Sequence, residues 1–144
     1  MGRTPGKATT VKTRTCTTGE SRKRLSAARK FLEAAELFLE DADPEGRRVA
    51  VSNAVLAGIA AADAMCCARL GKHAVGDDHR TAADLVRGIG PGGAEVSKAL
   101  IALLGIKHKA QYQASPVGRG DAKAAVRRAR ALVTTAERIV FSST

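Results

Sequence analysis

Tryptophan is absent from this 144-residue chain, tyrosine occurs once and phenylalanine three times. A sheet core packed on aromatic side chains is therefore excluded, and much of the apolar 44% is supplied by Ala, Val, Leu and Ile. Cysteine is also scarce. Cys16, Cys66 and Cys67 are too few and too unevenly placed for a disulfide framework. Neighbouring side chains on a helix diverge by about 100°, so Cys66 and Cys67 do not form a shared face. They read as small buried hydrophobes, and the cysteine usage points to a reducing, cytoplasmic setting. The spacing of Cys67 and His73 fits no standard zinc ligand pattern, and no metal or cofactor is expected. Acidic residues are outnumbered, 14 against 24 Lys and Arg, which leaves a formal charge of +10.

That charge is uneven. Residues 1–20 carry four basic groups and one acidic, residues 21–97 eleven of each, and residues 98–144 nine basic and two acidic. The basic character belongs to the two ends of the chain. Such a distribution speaks to association with acidic partners, nucleic acid among them, and not to fold. The shortage of aromatics argues against a stacking platform for single strands.

Residues 1–19 hold no apolar run and many Thr, so they read as a flexible basic tail rather than a secretory signal. Residues 49–70 are long enough to cross a bilayer. However, Asp63 inside them would cost about 3 kcal/mol at its centre, and the abundant Ala offers little in return, so no membrane span is expected.

Helical periodicity dominates the chain from residue 20 onward. Leu25, Ala28, Leu32, Ala35 and Leu39 recur at helical spacing, predicting a first helix from residue 20 or 21 to about 41, with Arg29–Glu33 as a supporting charge pair. Asp43-Pro44 is an N-cap followed by a first-turn proline, and Gly71 is a stop. The helix between them is apolar on nearly every side and should be the central one. Asn53 and Asp63 inside it need partners if buried. Asp77 or Asp78 caps a short helix over 79–89. Residues 88–93 match G-x-G-x-x-G literally, but no strand precedes them, so they read as a loop. A fourth helix is expected over 94–113. A fifth, capped by Asp121, runs to about 141 on a stripe of Ala122, Ala125, Ala129, Leu132, Ala136 and Ile139. No segment shows strand alternation. The prediction is an all-α, up-and-down bundle of four long helices and one short one, in a single domain over 20–141.

Three groups of residues carry chemistry. Asp77-Asp78-His79-Arg80 opens the short helix, where an imidazole works near neutral pH. Lys107-His108-Lys109-Ala110-Gln111-Tyr112 interrupts an apolar helix with three cationic or titratable side chains and the only Tyr. Lys123, Arg127 and Arg130, with Arg138 further along, share much of one face of the fifth helix.

These segments resemble the HEPN family (higher eukaryotes and prokaryotes nucleotide-binding domain), in its small bacterial members. Residues 51–71 look like the family's long central helix ending in Gly. Residues 78–86 look like the short helix that often starts with His. Residues 104–112 look like its basic-x-Lys-Ala-Asp-Tyr stretch, with Lys107, Lys109 and Tyr112 matching and Gln111 where Asp is common. The resemblance covers residues 20–141. It implies a helical bundle that dimerises and, in many members, metal-independent RNA cleavage by an Arg followed after four to six residues by His. This chain departs from that signature. Only three residues separate Arg69 from His73, and no Arg stands four to six residues before His79 or His108.

Two functions are expected on these grounds. The first is a module, homodimeric and part of a toxin–antitoxin or defence system, that binds RNA or a nucleotide through Arg80, Lys107, Lys109, Tyr112, Lys123, Arg127 and Arg130. The second is an endoribonuclease with an altered site, in which His79 or His108 acts as base. A non-catalytic partner of a nucleotidyltransferase-type protein is a third class.

Overall fold

The structure is a computed structural model that describes residues 12–41, 43–112 and 116–142. Its elements in chain order are β1 (Thr13–Thr15), α1 (Thr18–Leu39), α2 (Pro44–Leu70), β2 (Lys72–Ala74), α3 (Arg80–Val86), α4 (Gly93–Tyr112) and α5 (Arg119–Ser142). Among the described residues the architecture is the all-α bundle that the periodicity predicts, with four long helices and one short one.

Central α2 follows from its ends and its faces. The Asp43 carboxylate accepts from the Gly46 N–H at 2.6 Å and Pro44 takes the first helical position. Gly71 closes the helix at φ +70°, a left-handed conformation that glycine adopts without a Cβ clash. Between these caps, residues 60–67 are buried without interruption. α1 and α5 pack along it, and α3 and α4 cover the remaining side. Each buried Ala methyl contributes only about 0.8 kcal/mol, so the core depends on many small residues letting the helices approach closely. A backbone contact reinforces this: buried Ser21 on α1 donates to the Ala64 carbonyl on α2 at 2.8 Å. The predicted α5 stripe is buried in full.

Four sequence expectations are corrected. First, the tail does not extend to residue 19. Thr13–Thr15 pairs antiparallel with Lys72–Ala74, setting Arg14 opposite His73. Three-residue strands are too short to show alternation, so no sequence pattern marks them. The part of the expected tail before residue 12 lies outside the described residues. Second, α1 starts earlier, at Thr18. Thr17 accepts from the Glu20 N–H and Glu20 accepts from the Thr17 N–H, a reciprocal capping box. The Thr17 N–H holds the Glu20 carboxyl below its ordinary range.

Third, Cys16 and Cys67 form a disulfide with a Cα–Cα distance of 5.5 Å. Strand pairing carries Cys16 back over the end of α2, a proximity that a separation of 51 residues hides. Only Cys66 is the buried free thiol expected; burial, with the Asp63 charge, pushes it up to about 12. The cysteine count therefore no longer argues for a reducing compartment. Fourth, Arg29 does not pair with Glu33. It reaches Glu137 on α5 at 2.7 Å, while Lys30 takes Glu33.

Candidate functional site

Two cavities open on either side of the segment that leads into α3. The first, about 360 Å³, has Asp63 and Ile59 of α2 along one side and Arg24, His73, Thr81 and Arg14 around them. The second, about 450 Å³, is lined by His79, Arg80 and, from α4, Ile101, Leu104 and His108. Asp78 and His79 line both, so the two cavities adjoin at these residues as the two halves of a cleft.

Asp78 shapes its middle. The Asp78 carboxylate accepts from the Arg80 backbone N–H at 3.0 Å, and its carbonyl accepts from the Thr81 hydroxyl at 2.7 Å. This turn places half-buried His79 at the N-cap of α3 and exposed Arg80 at its first position. The expected helix thus begins one residue later than residue 79 and ends at Val86.

A polar cluster forms the wall of the first cavity. Asp63 is buried, its side chain 8% exposed. Arg24 donates to Asp63 Oδ2 from one terminal nitrogen at 3.2 Å and contacts His73 Nε2 with the other at 3.3 Å. Guanidinium nitrogens only donate, so His73 Nε2 must accept. The proton then sits on Nδ1, which donates to the Ala74 carbonyl at 3.0 Å. Burial raises the Asp63 carboxyl to about 6, while the Arg24 charge opposes that rise. Asp63 thus has the partner that its place in an apolar helix demands. Asn53 meets the same demand locally, donating to the Val49 carbonyl at 3.0 Å.

The expected site over 107–112 is not one site. His108 turns toward the cleft, joining His79 and Arg80. Half-buried Lys107 lines a separate hollow with Arg48 and Gln111. Lys109 pairs with Asp121 at 3.1 Å, so Asp121 serves in the first turn of α5 and not as its cap. Tyr112 closes α4, and its side chain lies outside the described residues. Adjacent helical positions diverge by about 100°, which is why a contiguous motif splits into several faces.

The basic face of α5 is partly neutralised. Arg130 holds Glu36 of α1 through two nitrogens at 2.6 and 2.9 Å. Lys123 lines a hollow with Arg47 and Arg119, and Arg127 is exposed. Sequence reasoning missed Arg14, Arg24 and His73 as cleft residues. Asp63 gave the one signal, as a carboxylate inside an apolar helix, but its partners come from α1 and β2.

Fold and cleft define an all-α bundle with a histidine- and arginine-lined groove. No family model matches this chain, and neither does any curated protein or solved structure.

Proposed function

We propose that this chain is a HEPN-like helical module that binds RNA or a nucleotide, as a homodimer, by seating a phosphate where His79, Arg80 and His108 meet. The observation that carries this reading is their convergence. Residues 79, 80 and 108 come from two helices to one cavity, whose only carboxylate among the described residues, that of Asp78, accepts from the Arg80 backbone N–H. An Arg beside two imidazoles is a phosphate-binding chemistry, since both side-chain types donate N–H groups to phosphate oxygens.

The test is anisotropy of a labelled RNA oligonucleotide at 50 and 200 mM salt. The expected outcome is salt-sensitive binding that falls tenfold or more in Arg80→Glu. Unchanged binding in Arg80→Glu overturns the reading. Sedimentation of the free protein tests the dimer.

The same convergence favours an endoribonuclease as the second reading, because two imidazoles share the cavity. One would take the 2′-OH proton as that oxygen attacks phosphorus, and the other would protonate the departing 5′-oxygen, leaving a cyclic phosphate. Incubation with total RNA in the presence of a chelator decides it. Cleavage abolished by His79→Ala and by His108→Ala supports the nuclease; intact RNA, or equal cleavage by both variants, excludes it.

A further inference from the structure

The half of the cleft that the phosphate reading leaves empty has its own chemistry. Ile59, Ala74, Val75 and Ala82 give the first cavity apolar walls, and a buried carboxylate, that of Asp63, faces it. Arg24 takes one carboxylate oxygen, Oδ2, and among the described residues no hydrogen bond reaches Oδ1. That leaves Oδ1 as an acceptor for a ligand's N–H groups, which would form charge-assisted hydrogen bonds to it. A cavity of about 360 Å³ lies within the size range of small-ligand sites, roughly 300–1,000 Å³.

We propose that this cavity is a guanine-binding subsite, in which the Asp63 carboxylate accepts from N1–H and the 2-amino group of a guanine whose phosphate lies toward His79 and Arg80. The inference rests on the phosphate reading above for the orientation of the ligand, but not for the base contact. Guanine presents two adjacent donors to a carboxylate. Adenine presents an acceptor, N1, beside its 6-amino donor, and that lone pair would face the Asp63 charge. His73 is a positioning residue: both its nitrogens are occupied, and it fixes the Arg24 fork that orients Asp63.

The charge state matters, and the groups around Asp63 are defined. Arg24 of α1 and His73 of β2 touch or oppose it, Arg14, Asp78 and His79 line the same cavity, and buried Cys66 neighbours it on α2. With Asp63 raised to about 6, base binding requires pH above that value. Phosphate binding toward His79 and Arg80 makes no use of the Asp63 carboxylate, which does not line that cavity.

The experiment measures binding of GMP, IMP, AMP, guanosine and ribose 5-phosphate by calorimetry with the full chain. GMP is expected to bind at least tenfold tighter than AMP at pH 7.5, with IMP between them because it lacks the 2-amino group. Asp63→Asn is expected to weaken GMP tenfold or more and to strengthen AMP, since an amide offers the donor and acceptor that adenine matches. Guanosine binding should fall between pH 7 and 5 while ribose 5-phosphate binding does not. Equal affinity for GMP, IMP and AMP, or GMP binding unaltered in Asp63→Asn, overturns the proposal. Should the variant not fold, the nucleotide series on the unaltered protein decides alone. Guanosine binding without ribose 5-phosphate binding would uphold the base subsite and remove the phosphate reading; the reverse would do the opposite. Competition by an RNA hexamer with one unpaired G, compared with the same hexamer carrying A, distinguishes a guanine within RNA from a free nucleotide.

Discussion

Arg24 and Asp63 lie 39 residues apart and meet at 3.2 Å, with the same guanidinium holding His73. One side chain of α1 thereby joins the central helix to the short sheet and fixes the wall of the cleft. The carboxylate it serves is almost fully buried, whereas Arg24 itself is 41% exposed. Removing the arginine and removing the charge should therefore have different effects.

Arg24→Ala leaves Asp63 and His73 without their shared donor. The expected loss is about 1–3 kcal/mol, the cost of stranding buried polar groups, checked by the urea midpoint at pH 7. Arg24→Lys offers a single point donor in place of the fork and should recover only part of it.

Asp63→Asn should act in the other direction. The folded-state carboxyl is raised above its ordinary 3.8 to about 6. Its contribution to stability is fully present below 3.8 and is lost as pH rises through 6. Near neutrality the wild-type protein bears the cost of a buried charge that Asn lacks. The stability difference, variant minus wild type, should thus grow by about 1–3 kcal/mol between pH 4 and pH 7. Thermal melts of both proteins across that range check it, and other carboxyls cancel in the difference. A flat difference would contradict the placement of Asp63.

The Cys16–Cys67 bond closes a loop across 51 residues of sequence separation. Restriction of the unfolded chain by such a loop is worth about 4 kcal/mol in the chain-entropy account. Cys16→Ser, or reduction, should lower the urea midpoint accordingly and release β1 from β2. Thiol titration of the denatured protein should find one thiol without reductant, from Cys66, and three with it.

Two helical glycines should respond oppositely to a methyl group. At Gly58 a Cβ would stand 2.6 Å from Leu103 Cδ2 and 3.2 Å from Leu132 Cδ1, both on buried side chains. Gly58→Ala should destabilise by about 1–3 kcal/mol. At Gly105 nothing lies within 4 Å. Gly105→Ala should stabilise by about 0.5–1 kcal/mol through helix propensity. Paired denaturation curves test both.

Much of the fold was legible in the chain itself. Scarce aromatics and abundant Ala favour helices packed closely, and 3.6-residue periodicity marks the long ones. Asp43, Pro44 and Gly71 set the ends of α2 because caps are local interactions between near neighbours. The α5 stripe was legible for the same reason. His79, Arg80 and His108 stood out by residue type and do share a cavity.

Tertiary structure alone decided the rest. Lys107, His108 and Lys109 are consecutive, yet they face a hollow, the cleft and Asp121, because a helix turns each residue about 100° from the last. The basic face of α5 lost Arg130 to Glu36 and α1 lost the Arg29–Glu33 pair to Glu137, because packing α1 against α5 brings opposite charges closer than the local pattern does. Cys16 found Cys67, and Asp63 found Arg24, across separations that no sequence period records. Composition and local capping determined which helices form. The meeting of those helices decided which side chains confront one another, because contacts between elements depend on the path of the whole chain.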